Sequence, residues 1–329
     1  MKTRKPQSRY FLLACALGLI ACQENNKSPR DTLTTIVGNP VQSLNPLYST
    51  DAASQHINEL IHSALITIND QLVPEPYLAE SMKVINPLTL EFKLRAGCLF
   101  ASGRPITSSD VEKSLQFFGH PENQSAFLET FKLITKFERI DDLRFRLITA
   151  KPAPGLLTDL DLLKILDLSA AEPGEKLTSL PGAGPYELTS LSAAEIRLQR
   201  RAQPCLPTPP MNKIVVKIVR DDLSRFLKLK TGEIDLVLNE MNYRKVELIE
   251  NDPSLPMAVK KADGIGYSYL GLNLAAPRLT DPRVRRALAL SLDVPALIKY
   301  KSRGLARPAR NLLADQNFYA NLDVPLIER

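Results

Sequence analysis

Side chains able to form bonds to metals or to attack substrates are few in this chain. Its 329 residues include four cysteines and three histidines. These are Cys15, Cys22, Cys98 and Cys205, with His56, His62 and His120. A structural zinc site draws on about four such ligands at short, fixed spacings, and no CxxC pair or His/Cys cluster occurs. His56 and His62 lie six residues apart and so face different sides of any helix. The chain also lacks a GxSxG elbow, a GxxxxGK[ST] loop and a GxGxxG turn, which removes the usual nucleophile and phosphate-cradling patterns. A hydrolase needs a nucleophile activated by a neighbouring base, and no such pair can be assembled. The expectation is a non-catalytic protein without metal or cofactor. Cys98 and Cys205 could pair in an oxidising compartment, but sequence does not show proximity. They are read here as separate, partly buried thiols.

Cys22 has a different context. Lys2, Arg4, Lys5 and Arg9 precede an apolar run from Phe11 to Ala21. A spanning helix needs about 20 apolar residues, so this run is too short. A basic start, a short apolar stretch and a small residue before a break are the features of a secretory signal. Leu19-Ile20-Ala21-Cys22 resembles a bacterial lipobox, which implies cleavage before Cys22 and acylation of its thiol and new N-terminus. Acyl chains at roughly 0.8 kcal/mol per buried methylene would anchor the protein to a membrane without a spanning helix. Residues 1–21 then form the signal and 22–31 a polar tether without periodicity. The expected location is the cell envelope, facing the periplasm or exterior. Gln23 in place of Asp favours outer-membrane sorting if the host has an outer membrane.

Removing residues 1–21 changes the charge. The whole chain carries 42 Lys+Arg and 36 Asp+Glu, a net +6. Four of those cations sit in the signal, leaving 38 against 36 and a net +2. A chain so near neutrality makes no general case for nucleic acid as a partner. The local cluster Lys299, Lys301, Arg303, Arg307 and Arg310 reads as a solvated helix end and loop.

About 300 residues remain, enough for two domains, and short strands alternate with helices throughout. Strands are expected at Thr32 to Val37, Leu88 to Leu94, in two hairpins within 131–150 and 186–200, and at Ile214 to Val219, where a nearly continuous apolar run suits the middle of a sheet. Helical faces are expected from Ala53 to Leu65, from near Asp110 with Ser108 or Ser109 as cap, and from Leu156 to Leu168. Asp222 to Lys230 followed by Gly232 and Ile234 to Leu238 reads as the helix and second strand of a parallel crossover. A helix from Tyr243 to about Glu250, a strand at Tyr267 to Leu274 and a helix at Pro282 to Leu292 complete a mixed α/β chain.

Several stretches in order carry a family resemblance: LNPL at 44–47, LAES at 78–81, FKLRAGCLFASGRPITSSDV at 92–111, GAGPY at 182–186, GEIDL at 232–236 and GLNLAAPRLTDPRVRRALALSLD at 271–293. Each is weak alone, but the ordered set resembles the extracellular solute-binding proteins of family 5. These are lipoprotein or periplasmic receptors that feed peptides, nickel complexes or sugars to ABC importers. The resemblance implies a type II periplasmic-binding-protein-like fold of two lobes with an extra subdomain. Residues 32–47 and 181–266 would form lobe I, 48–180 the subdomain, and 267–329 a hinge and part of lobe II. Family members continue well beyond the stretch matching DPRVRRALALSLD, so the second lobe is expected to be incomplete and to leave apolar surface exposed. The family's F.DG turn is here Phe100-Ala101-Ser102-Gly103, without the acid, and there is no Trp.

Ligand-facing positions implied by the resemblance are Ser49, Thr50, Asp51 and Ala52 after LNPL, Asn239 and Glu240 after GEIDL, and Tyr267 and Tyr269 on the hinge. Alternation places the two tyrosines on one face, where ring and hydroxyl suit a peptide cleft. The leading functional expectation is a lipid-anchored, non-catalytic receptor for a small molecule or peptide, working with importer permease subunits. The alternative is a truncated paralogue that has lost transport and acts as a sensor or partner-binding lipoprotein.

Overall fold

The computed structural model describes residues 31–169 and 181–310, with scattered positions from 312 to 323. Residues 1–30, including the expected signal and Cys22, lie outside the described residues.

Two four-stranded sheets carry the chain, accompanied by a two-stranded antiparallel ribbon of β2 (Ile66–Ile68) and β3 (Pro74–Pro76) and by a one-turn helix, α3 (Leu128–Phe131). In the first, β1 (Thr32–Val37) runs parallel to β10 (Lys213–Ile218), pairing Thr32 with Lys213 through Val37 with Ile218. Antiparallel β9 (Glu195–Arg200) and β8 (Tyr186–Leu191) complete the order β1-β10-β9-β8. β10 is therefore central, as its β-branched run suggests, with Ile214 and Val216 buried. After β10 the chain forms α5 (Asp222–Lys230) and returns parallel to β1 at Leu236. There Asp235 donates its N–H to the Thr34 carbonyl at 2.8 Å, and its carboxylate accepts from the Thr34 N–H at 2.7 Å. The expected crossover is present, but its second strand is reduced to one bridge. Gly232 permits the reversal, with φ of 73°.

The second sheet is antiparallel: β4 (Ala79–Asn86), β5 (Thr89–Leu94), β7 (Arg144–Thr149) and β6 (Ile134–Arg139), in the order β4-β5-β7-β6. Phe92, Phe137 and Phe145 stack across its strands, with ring centroids 5.5 Å and 4.9 Å apart. α2 (Ser108–Gly119) buries Val111, Leu115 and Phe118 on the same core. Its N-cap is Thr107 rather than Ser108 or Ser109. The Asp110 carboxylate accepts from the Thr107 N–H at 2.8 Å and from its hydroxyl at 2.9 Å, while the Ser108 hydroxyl donates outward to the Asp141 carbonyl.

A second, smaller core joins the first sheet to α1 (Ala52–Ile61), through Ile57 and Ile61 against Tyr186, Ile196, Leu198 and Val216. The end of α1 meets the GAGP stretch at very close range. A Cβ on Gly182 would stand 1.9 Å from the Ile61 carbonyl oxygen and 2.8 Å from His62 Nδ1, so only glycine fits.

Three further expectations are overturned. The helix expected from Leu156 to Leu168 is a single turn, Leu156–Asp159 (α4). Beyond it, turns at 160–162 lead to a single bridge, Lys164 antiparallel to Ala64, with the Ile165 N–H on the Ser63 carbonyl at 2.9 Å. Leu160, Leu163, Ile165 and Leu166 are all fully buried there; a run that is apolar on every side does not distinguish helix from buried strand. Tyr267 to Leu274 forms no strand, because among the described residues no neighbour pairs with its backbone. Finally, Cys98 and Cys205 are disulfide-bonded, with Cα atoms 4.9 Å apart, not separate thiols. Gln203 secures the same junction, accepting from the Leu99 N–H at 2.9 Å and donating to the Leu99 and Ala183 carbonyls at 2.8 and 2.9 Å.

The helices α6 (Tyr243–Asn251) and α7 (Pro282–Ser291) follow expectation in position. No described residue after Ile249 is buried. Among the described residues no helix is long and apolar enough to cross a membrane.

Candidate functional site

The loop between β1 and α1 borders a small recess. Its shape follows from short polar side chains closing turns on their own backbone. Asn45 Oδ1 accepts from the Leu47 N–H at 3.0 Å, and the Ser49 hydroxyl reaches the Asn45 carbonyl at 2.9 Å. The Asn58 amide donates to Ser49 Oγ, and Gln55 Nε2 donates to the Ser49 carbonyl at 3.3 Å. Asp51 caps α1 by accepting from the Ser54 N–H at 2.9 Å. Its other carboxylate oxygen is buried without a hydrogen-bond partner, as is Asn58 Oδ1.

Ser49, Gln55, Asn58 and Glu59 line a small pocket of about 50 Å³ together with Phe127, Leu162 and Lys164. The Ala64–Lys164 bridge sets the lining segments against each other. Lys164 is only 9% exposed. Its Nζ donates to the Asp161 carbonyl at 2.8 Å and stands 3.9 Å from the Asp161 carboxylate. His62, at the C-terminus of α1, is fully buried, and neither ring nitrogen has a hydrogen-bond partner. Burial first, and the Lys164 charge second, push its pKa down to about 3; the Leu44 carbonyl opposes this but lies outside hydrogen-bond geometry. The imidazole is therefore neutral at ordinary pH and leaves Lys164 as the cation of the recess.

The residues expected to face ligand are only partly gathered here. Ser49 lines the pocket, while Thr50 and Ala52 are exposed beside it and Asp51 is half-buried as the helix cap. Asn239 adopts a left-handed φ of 56°, and the turn aims Glu240 at Gly38, where a Cβ would meet Glu240 Oε2 at 2.5 Å. Gly38 directly follows β1, so the Glu240 turn borders the carboxyl end of that strand. Open α/β sheets hold ligands in the crevice outside those ends. Tyr267 and Tyr269 lie elsewhere: their rings pack on each other at 5.6 Å, at 46% and 77% exposure. They do share a side, though not on a strand. Among the described residues no group of three or more His, Cys, Asp or Glu could hold a metal ion.

Gln55, Asn58, Phe127, Leu162 and Lys164 escaped sequence reasoning. The available signals were a lone lysine within LDLLKILDL and an asparagine on the inward face of α1, between Ile57 and Ile61.

Comparison with known proteins decides the family. Residues 73–326 match the profile of bacterial extracellular solute-binding proteins, family 5 Middle. The chain belongs to this family. The glutathione-binding protein GsiB of Escherichia coli (strain K12) is 26% identical over 293 residues, spanning 86% of this chain and 56% of that protein. The ABC transporter-associated periplasmic binding protein DppA of Helicobacter pylori, solved with the peptide STSA, superposes with a TM-score of 0.80 at 24% identity, over 90% of this chain and 63% of that one. NikZ of Campylobacter jejuni, solved with Ni(L-His), gives 0.72 at 24% identity, over 86% and 57%. The fold of this family 5 protein is thus that of the type II periplasmic binding proteins. The chain spans about half the length of the curated relatives it matches.

Proposed function

We propose that this family 5 protein is a non-catalytic receptor that captures a small peptide or peptide-like solute for an ABC importer. The recess beside the β1–α1 loop, lined by Ser49, Gln55 and Asn58 together with Phe127 and Lys164, is the observation that carries this reading. It combines an apolar wall, amide groups and a buried cation, the mixture that small-ligand sites present. Membership of a solute-binding family supports it. So do the relatives, one described as glutathione-binding and one solved with a peptide. On this reading residues 32–47 and 181–266 act as one lobe with 48–180 as its subdomain, and 267–329 supply a hinge and part of a second lobe that closes over the ligand. Thr50, Ala52, Asn239, Glu240 and the Tyr267–Tyr269 pair would meet ligand in that closed form. Acylated Cys22 would hold the receptor at the membrane surface of the envelope.

Thermal unfolding with and without a pool of tripeptides, and with glutathione, tests the reading. A ligand at 100 times its dissociation constant stabilises the native state by about 2.7 kcal/mol, so a binding pool raises Tm measurably. A cooperative melt that none of these solutes moves would abandon the receptor role. It would favour the second reading, a partner-binding or sensing relative, for which the lack of any buried residue among those described after Ile249 is the supporting observation.

A further inference from the structure

We propose that the segment from α7 to Arg303 docks on the surface of an anionic phospholipid bilayer. This goes beyond the receptor reading and does not depend on what the recess holds. The near-neutral total charge conceals an asymmetry. Residues 31–250 carry 24 Lys+Arg against 28 Asp+Glu, a net −4, whereas residues 251–310 carry 11 against 4, a net +7. Such an imbalance within one chain points to an anionic surface as partner of the basic part. Several of these cations are not neutralised within the fold. Among the described residues, Lys260, Arg278, Arg286, Lys299 and Lys301 have no acidic partner, while Arg303 stands 3.6 Å from Glu247 and Arg307 4.0 Å from Asp263.

Apolar side chains lie among the cations. Val284, Leu288 and Leu292 recur every fourth residue, which puts them on one side of α7 and its C-terminal cap, and all three are exposed. In the helical turn Leu297–Lys301, Leu297 is exposed and Tyr300 sits between Lys299 and Lys301, with Lys299 Nζ 5.2 Å from the ring centroid. An acidic protein would answer the charges and leave the leucines without a role. A bilayer interface answers both. Aliphatic side chains enter the boundary between headgroups and acyl chains, a tyrosine ring sits at that boundary with its hydroxyl in water, and long basic side chains reach the phosphates.

The chain contains no Trp, so a single introduced Trp reports its own surroundings. Two full-length proteins are compared, Tyr300→Trp and, as a control in the second sheet, Val84→Trp; the two positions are 66% and 65% exposed. Each is mixed with vesicles of phosphatidylglycerol and phosphatidylcholine in equal parts, or of phosphatidylcholine alone. The mixed vesicles are expected to shift the Tyr300→Trp emission to the blue, less so in high salt, and to leave Val84→Trp unmoved. Adding Lys299→Gln and Lys301→Gln to the Tyr300→Trp protein should raise the lipid concentration at half-shift roughly 25-fold, about fivefold for each cation removed. Attachment through residues 1–30 alone would leave both reporters unmoved and overturn the proposal. So would an equal shift with phosphatidylcholine alone, or an equal shift of the Val84→Trp reporter. An emission already blue without vesicles and unmoved by them would also overturn it, and would assign this face to a second copy of the chain. Should Tyr300→Trp fail to melt cooperatively, Leu297→Trp reads the same turn.

Discussion

Single residues in this protein carry electrostatic consequences that can be measured. His62 titrates near 3 when folded, against 6.5 for an ordinary histidine, because burial and then the charge of Lys164 disfavour its protonated form. The unfolded chain therefore takes up this proton first. Stability is complete above about pH 6.5 and falls as pH drops toward 3, at up to ~1.4 kcal/mol per pH unit. Urea unfolding at pH 7 and pH 4.5 should show that loss, and His62→Gln, which cannot titrate there, should show a smaller one. A pH dependence identical in the two proteins would contradict the burial of a neutral imidazole. Arg104 presents the opposite arrangement. Its guanidinium bridges Asp110 at 2.9 Å and Asp167 at 2.7 Å, and both carboxylates are nearly inaccessible. Burial alone would raise the Asp167 pKa, but hydrogen bonds from Ser102, Ser169 and Arg104 outweigh it and hold it at about 2. Arg104→Met would leave two buried carboxylates without a cation. We expect a loss of about 3 kcal/mol, read from denaturant midpoints at pH 7.

At the scale of elements, the junction between the two sheets depends on the turn after β5 and the loop after β9. Cys98 and Cys205 close a separation of 107 residues there. In the chain-entropy account a loop of that length contributes about 4 to 5 kcal/mol by restricting the unfolded state. Replacing both cysteines by serine should lower stability by that order in equilibrium unfolding without reductant. Reductant should affect the wild type and not the double variant. The junction itself should persist, because Gln203 and Arg201 still bind the Leu99 backbone. The elements near the site were legible to different degrees. α1 and α2 show their faces through apolar spacing, and their buried residues agree: Ile57 and Ile61, then Val111, Leu115 and Phe118. The 156–168 stretch misled because its leucines fall on opposite sides of any helix and leave no single face to read.

For the whole molecule, the second half is distributed unlike the first. Both buried clusters are assembled from residues before position 217, and Tyr269, Leu270, Leu274, Leu297 and Tyr300 are exposed by 77%, 57%, 59%, 47% and 66%. Apolar surface of that kind attracts partners or promotes self-association. The purified chain should bind a hydrophobic dye and elute larger than a monomer in size exclusion. A monomeric profile with no dye binding would mean that this surface is covered in solution.

Neighbours in sequence determine most of the strands before position 220, the crossover after β10 and the family, because pleat alternation, helical spacing and turn chemistry all act within a few residues. They also mark Ser49 to Asp51 as part of the loop that leads into α1. Which cysteines join, which lysine stands in the pocket and why Gly182 must be glycine are decided between residues about 100 or more positions apart. Lys164 faces Asn58, Cys98 meets Cys205, and Gly182 presses on Ile61. Those pairings follow from how the two sheets pack together, and packing depends on the shapes of complete elements rather than on the local pattern within any one of them.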